Sequence, residues 1–328
     1  MEINKAEKQL LSLIRGIGRS DRKVTKESIS AAGKHHFKDK FSTNLSSAYK
    51  SLIQKKFIKE LNEEYSLTNE AAKHMKKMRA DGFGKMLVQK EKSKTYGKFC
   101  QILHGKNISQ FNMMDMEQLN KLLELLEIDE HQKVLDLGCA TGTITEYISD
   151  ITKAHIVGID FAETAIKWAQ KRTKSKQDRL EFITMDMDAL DFPEKSFDTI
   201  LAIDTLYFVG NINKTIQKMK KILKESGKLG IFFSQMVKPE EDKEKLLPNK
   251  TIIAQTLKKN NLKFRTWDFT DSEKEFWKRN ISIAESLKNE FAKEGNSHIY
   301  ESRINEAKSI LKFVDSDRIS RYLYIVNL

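Results

Sequence analysis

The chain has 328 residues, 39% hydrophobic and 32% charged, which suits one large domain with an appendage, or two domains, around a sizeable core. Its two cysteines, Cys100 and Cys139, exclude a disulfide scaffold and point to a reducing cytoplasm. The polar start, Met1 to Leu10, gives no signal peptide, and no apolar run approaches the ~20 residues of a membrane-spanning helix. The net charge of +12 concentrates early: residues 1–84 carry 18 Lys/Arg against 10 Asp/Glu.

In chain order, Lys5 to Ile17 places Leu10, Leu11, Leu13 and Ile14 at helical spacing. Thr25 is an N-cap for a second helix running through Gly33. A third helix spans Thr43 to Lys55, with Leu45, Ala48, Tyr49, Leu52 and Ile53 on one face. Two strands, Phe57 to Leu61 and Tyr65 to Thr68, then pair across Asn62-Glu63-Glu64. This order looks like a winged helix over residues 1–84. Such a module either reads DNA, for which Arg19, Arg22, Lys50, Lys55 and Lys56 are the candidate phosphate contacts, or dimerises and caps substrate. The outer face of the third helix, Ser46, Ser47 and Lys50, is poor in base-reading side chains. That favours dimerising or capping over nucleic acid.

Residues 85–130 form a helical connector. Met75 to Lys94 is lysine-rich and without proline, and Gln118 to Ile128 is the first helix of a following α/β domain. That domain, 131–328, carries apolar runs at 154–159 and 180–185 and strand-length segments at 197–204, 227–234, 262–269 and 319–326, with a helical insertion at about 272–313.

The densest chemical signal is Val134-Leu-Asp-Leu-Gly-Cys-Ala-Thr-Gly-Thr143, a buried strand breaking into a small-residue turn that opens a helix. Asp160 ends the next apolar run. A glycine turn at a helix start followed some 20 residues later by a carboxylate is the dinucleotide-type fingerprint. The spacing here is Gly138-x-Ala140-x-Gly142, preceded on the strand by Asp136. A carboxylate there repels a pyrophosphate but accepts hydrogen bonds from an ammonium. The ligand is therefore zwitterionic, an amino acid joined to an adenosine, which describes S-adenosylmethionine. As a bland alternative, the glycines merely allow a tight turn and Asp160 caps a helix.

These residues resemble the first motif of the class I S-adenosylmethionine-dependent methyltransferases, Asp/Glu-x-Gly-x-Gly-x-Gly, with Ala140 in place of the middle glycine. The resemblance extends from about Lys85 to Leu328. It implies a Rossmann-like α/β fold, a seven-stranded mostly parallel sheet with an antiparallel last strand and helices on both faces. It assigns Asp160 and Phe161 to the ribose, Asp186 and Met187 to the adenine corner, and Ile203 and Asp204 to the end of the fourth strand. Tyr96 and Gln110 lie in a segment that in related small-molecule enzymes lids the pocket. The cofactor is S-adenosylmethionine and its product S-adenosylhomocysteine.

Methyl transfer is an in-line displacement in which the protein supplies position, dryness and sometimes a base. The candidates for the base are His104 and His298, with Tyr207 as an orienting group. Asp204-Thr-Leu-Tyr207 lacks the prolines of exocyclic base methylation, and neither cysteine follows a proline, so nucleobase chemistry is disfavoured. His35-His36 is adjacent and gives no zinc spacing. The expected function is methylation of O or N on a small-molecule acceptor by a soluble cytoplasmic enzyme, with the N-terminal domain as the candidate homodimer contact. The alternatives are a winged-helix regulator with a ligand-sensing domain, and an RNA or protein methyltransferase.

Overall fold

The computed structural model describes residues 2–18, 23–38, 41 and 45–328. It divides into two compact units, Met1–Ala80 and Asp81–Leu328.

The first unit contains α1 (Lys5–Gly18), α2 (Lys26–Phe37), α3 (Ser46–Gln54) and an antiparallel hairpin, β1 (Ile58–Leu61) with β2 (Glu64–Leu67). Thr25 caps α2 reciprocally: its hydroxyl accepts from the Ser28 amide at 3.3 Å, and Ser28 Oγ accepts from the Thr25 amide at 2.9 Å. The second helix outruns the expected end at Gly33 by a turn, because Phe37 and Phe41 stack and extend the apolar cluster. Leu10, Leu11, Ile14, Ile29, Ala48, Leu52 and Tyr65 make this unit's core. Ile53, expected inside, is 41% exposed; it lies a helical step off the stripe set by Ala48, Tyr49 and Leu52. The expected start at Thr43 and the candidates Arg19 and Arg22 lie outside the described residues.

Helix α4 (Asn69–Lys92) runs through the boundary between the units, which falls at 80/81 rather than 84/85. In the second unit follow α5 (Lys94–His104), α6 (Met116–Leu126), β3 (Lys133–Leu137), α7 (Thr143–Thr152), β4 (His155–Asp160), α8 (Glu163–Arg172), β5 (Leu180–Thr184), β6 (Phe197–Ile203), α9 (Ile212–Ile222), β7 (Leu223–Met236), α10 (Ile252–Lys259), β8 (Phe264–Asp268), α11 (Thr270–Ser286), α12 (Lys288–Lys293), α13 (Ser297–Val314) and β9 (Ile319–Asn327).

The seven strands lie in the order β5-β4-β3-β6-β7-β9-β8. The first five are parallel; β9 is antiparallel to both β7 and β8. Side chains alternate between two cores as the pleat requires. Leu135, Ile200, Ala202, Leu229, Ile231, Tyr322 and Tyr324 face one, with α9 and α10. Val134, Ile156, Leu201, Ile203, Phe232, Leu323 and Ile325 face the other, with α6 and α7. The chain moves outward from β3 to β4 on one side and returns to β6 on the other. That reversal falls at the carboxyl ends of β3 and β6, the place where open α/β sheets hold ligands.

Candidate functional site

Strand β3 ends at Leu137 and the chain reverses through three left-handed residues, Gly138 (φ 75°), Ala140 (φ 53°) and Gly142 (φ 72°). Side chains are not accommodated at the two glycines. A Cβ on Gly138 would meet Thr205 Oγ1 at 2.1 Å, and one on Gly142 would meet the Phe182 ring at 2.3 Å. The Gly138 and Cys139 amides both donate to the Ile159 carbonyl, at 2.8 and 2.9 Å, tying the turn to the neighbouring strand. Gly142 is the N-cap of α7, so the turn delivers backbone amides at a helix start.

Two carboxylates flank this turn, both buried. Asp136 Oδ2 accepts from Thr145 Oγ1 at 2.5 Å. Burial pushes its carboxyl up to about 6, against the opposing pull of the Thr145 hydrogen bond and with a smaller contribution from the Asp160 charge. Asp160 accepts the Ala140 amide at 3.0 Å on one oxygen and the Ala162 amide at 2.8 Å on the other. It therefore ties the residue preceding α8 to the glycine turn. Burial raises its carboxyl too, opposed by those amides. A carboxylate with two amide donors still has lone pairs for ligand hydroxyls.

The other predicted contacts surround the same strand ends. Phe161 stacks on Phe83 of α4, with ring centroids 5.9 Å apart, and Phe83 meets Phe111 edge-on at 5.5 Å. Asp186 caps a short turn at Met187–Ala189, accepting the Asp188 amide at 3.1 Å. Met187 is buried and receives Thr205 Oγ1 on its sulfur at 3.2 Å. Ile203 ends β6 in the core.

The connector is fastened to these strand ends at several points. Tyr96, fully buried, donates its hydroxyl to the Gln110 carbonyl at 2.7 Å. Gln110 is buried and its side-chain oxygen accepts the Ile108 amide. Thr143 Oγ1, at the start of α7, donates to the Ile108 carbonyl at 2.5 Å. The Met113 amide donates to Asp204 Oδ2 at 3.3 Å.

Asp204 turns out to be engaged by a residue that sequence reasoning missed. In left-handed backbone (φ 52°), it grips Arg321 of β9 through both oxygens, at 2.6 and 2.8 Å. Arg321 is wholly buried and also donates to Gln118 Oε1 at 2.7 Å and Ser234 Oγ at 3.0 Å. Ser234 in turn bonds Glu273 of α11, which accepts Trp277 Nε1 at 3.0 Å. The Tyr207 hydroxyl sits within this network. It accepts the Ser234 amide at 2.6 Å and donates to Asp204 Oδ1 at 3.2 Å. These bonds fix the hydroxyl, and burial followed by the Asp204 charge raises its phenol well above the ordinary range. The residue as a whole is 37% exposed. The signal for Arg321 was a lone arginine inside an otherwise apolar strand.

Neither histidine is set up as a base. His104 is buried against Phe276, and its Nδ1 lies 3.0 Å from the Met114 carbonyl. Burial lowers its pKa to about 4, so it packs as a neutral ring. His298 is exposed at the start of α13, outside the dry setting that proton transfer to a buried acceptor requires. In the first unit, Lys55 is paired with the buried Glu7 at 2.8 Å and so is committed rather than free for phosphate. Among the described residues no helix is long and apolar enough to cross a membrane.

A family model described as a methyltransferase domain matches residues 128–285. The phosphoethanolamine N-methyltransferase of Plasmodium falciparum is 34% identical over 116 residues, 35% of this chain and 43% of that one. The eEF1A lysine and N-terminal methyltransferase of Bos taurus is 35% identical over 104 residues, 31% of this chain and 15% of that one. The chain thus spans less than half the length of these curated relatives. Among solved structures, Haemonchus contortus phosphoethanolamine N-methyltransferase 2, in complex with phosphomonomethylethanolamine and S-adenosylhomocysteine, superposes with a TM-score of 0.60. It is 20% identical, over 71% of this chain and 57% of that one. Sheet order, glycine turn and family match agree over residues 128–285: this part of the chain carries a methyltransferase domain.

Proposed function

We propose that the protein transfers a methyl group from S-adenosylmethionine to a small-molecule acceptor, at nitrogen in preference to oxygen. The observation carrying this is the pair of buried carboxylates astride a turn too tight for a side chain at Gly138 or Gly142. Such a cradle fits the cofactor: Asp136 suits its ammonium, Asp160 its ribose hydroxyls, and Asp186 with Met187 its adenine edge. When bound, that group supplies an electrophilic methyl on a sulfonium. The chain's own residues bind, orient and exclude water. Tyr96, Gln110 and the connector through Met114 close the site, while the Arg321 network holds Asp204 and Tyr207 in place.

Nitrogen is preferred because no candidate base is placed to take a proton from a buried acceptor. His104 is neutral and spent on Met114, His298 is exposed on α13, and Tyr207 resists ionisation, while the nearby Asp204 is committed to Arg321. An amine presented in its neutral form needs only alignment, whereas a hydroxyl acceptor requires a base. Two relatives, from Plasmodium and Haemonchus, are named as N-methyltransferases, which accords with this choice. For the first unit we favour a dimerising or capping role over DNA reading, since Lys55 is paired and the outer face of α3 offers Ser46, Ser47 and Lys50.

The test is calorimetric binding of S-adenosylhomocysteine, then turnover with a panel of primary amines and matched alcohols. Micromolar affinity and methylation confined to amines is the expected result. Absence of binding overturns the cofactor assignment; methylation of alcohols alone overturns the preference for nitrogen.

A further inference from the structure

Two buried basic side chains in the second unit carry donors without hydrogen-bond partners among the described residues. Lys90, on α4, is 2% exposed, and its Nζ has no hydrogen-bond partner among the described residues. The ammonium lies 4.1 Å from the centre of the Phe111 ring and 5.3 Å from that of Tyr96. Arg303, on α13, is 3% exposed, and its guanidinium lies 5.1 Å from the same Phe111 ring. One of its terminal nitrogens pairs with Glu306, while Nε has no hydrogen-bond partner.

An aromatic face offsets part of an ammonium's desolvation, roughly 2 kcal/mol at best, against several kcal/mol per buried ion. Two like charges converging on one ring add repulsion. Burial, then Arg303, drives the Lys90 ammonium well below the ordinary lysine range. The component missing beside Lys90 and the Arg303 Nε is an anion. The position is also telling. Phe111 follows Gln110 in the connector and packs in one cluster with Ala140 of the glycine turn, so the two cations lie beside the cradle rather than on a remote surface.

We propose that Lys90 and Arg303 form an oxyanion subsite, for a carboxylate or phosphate, walled by Phe111 and Tyr96. This rests on the cofactor reading above in one respect: the anion is carried either by the cofactor's amino-acid end or by the methyl acceptor. In both cases the ammonium and the Arg303 Nε–H gain the charge-assisted hydrogen bonds they lack.

The experiment compares the full-length protein with Lys90→Met and Arg303→Met. Lys90→Met deletes a buried amine that has no hydrogen-bond partner among the described residues, so its thermal midpoint without ligand should equal or exceed that of the parent, which certifies folding. Lys90→Gln is the second variant at that position. Each protein is titrated with S-adenosylhomocysteine, with its decarboxylated analogue, and, once loaded with S-adenosylhomocysteine, with inorganic phosphate and acetate. If the subsite takes the cofactor's carboxylate, the variants lose tenfold or more in affinity for S-adenosylhomocysteine and nothing for the decarboxylated analogue. If it takes the acceptor's anion, cofactor affinity is unchanged, and millimolar phosphate or acetate raises the midpoint of the loaded parent but not of the variants. Unchanged responses in both arms overturn the proposal. A parent that binds no S-adenosylhomocysteine defeats the cofactor reading instead, and phosphate stabilisation of the unloaded parent, lost in the variants, still reads the subsite by itself.

Discussion

At the residue scale, the site depends on atoms that leave no room. Gly138 combines positive φ with a Thr205 hydroxyl where its Cβ would go. Gly138→Ala should therefore cost about 2 kcal/mol or more, from overpacking and left-handed backbone together. Thr205→Ala in the same chain should recover part of that loss. Denaturant midpoints of the two single variants and the double variant decide it; strict additivity would remove the contact from the account.

Asp136 and His104 set opposite pH dependences. The Asp136 carboxyl moves from its ordinary 3.8 to about 6. Between those values the folded chain holds a proton that the unfolded chain has released. Its contribution to stability is complete below pH 3.8 and is lost as pH rises through about 6, about 3 kcal/mol at most. His104 moves from 6.5 to about 4, so the unfolded chain takes up a proton that the folded chain refuses. Stability from this site is present above 6.5 and is lost as pH falls toward 4. Relative to the parent, Asp136→Asn should gain stability as pH rises from 4 to 7, and His104→Phe should gain as pH falls over the same window. Urea midpoints across that range give the test, and parallel profiles for all three proteins would refute it. Cofactor affinity follows Asp136 separately. An ammonium wants the carboxylate ionised, so affinity should weaken below about pH 6 in the parent and stay level in Asp136→Asn.

At the scale of elements, β9 does more than complete the sheet. It crosses between β7 and β8 and carries Arg321 into the layer where β6 ends and α6 and α11 pack. The pair with Asp204 is fully buried, so its net worth against an apolar replacement is small, but removing one partner strands the other. Arg321→Met leaves Asp204 and Glu273 buried without their cation. The expected cost is about 3–5 kcal/mol, with a matching fall in cofactor affinity as the Met113 tether to Asp204 loosens. Chemical denaturation and calorimetry on one preparation measure both. A loss below 1 kcal/mol would mean the network is not what holds the strand ends.

At the scale of the whole molecule, the two units have separate cores. Unfolding should accordingly depart from a single two-state transition. S-adenosylhomocysteine at 100 times its dissociation constant should stabilise the transition of the larger unit by ~2.7 kcal/mol and leave the smaller unit's transition in place. Scanning calorimetry with and without ligand shows this directly; equal shifts in both would imply one cooperative body.

Much of the scaffold was readable before folding because it rests on local physics. Short apolar runs marked the strands, and Gly138-x-Ala140-x-Gly142 after such a run marked a turn that only small residues can make. Thr25 announced its helix. These signals are written in neighbouring residues, where backbone sterics and burial periodicity act. What only the tertiary structure decided is which polar groups meet. Arg321 lies 117 residues from Asp204, and Arg303 and Lys90 share one ring from helices far apart in the chain. His104, a base by residue type, becomes a neutral packing ring through burial. Charge states and ion pairs depend on distance and dielectric, which exist only once remote segments have been brought together.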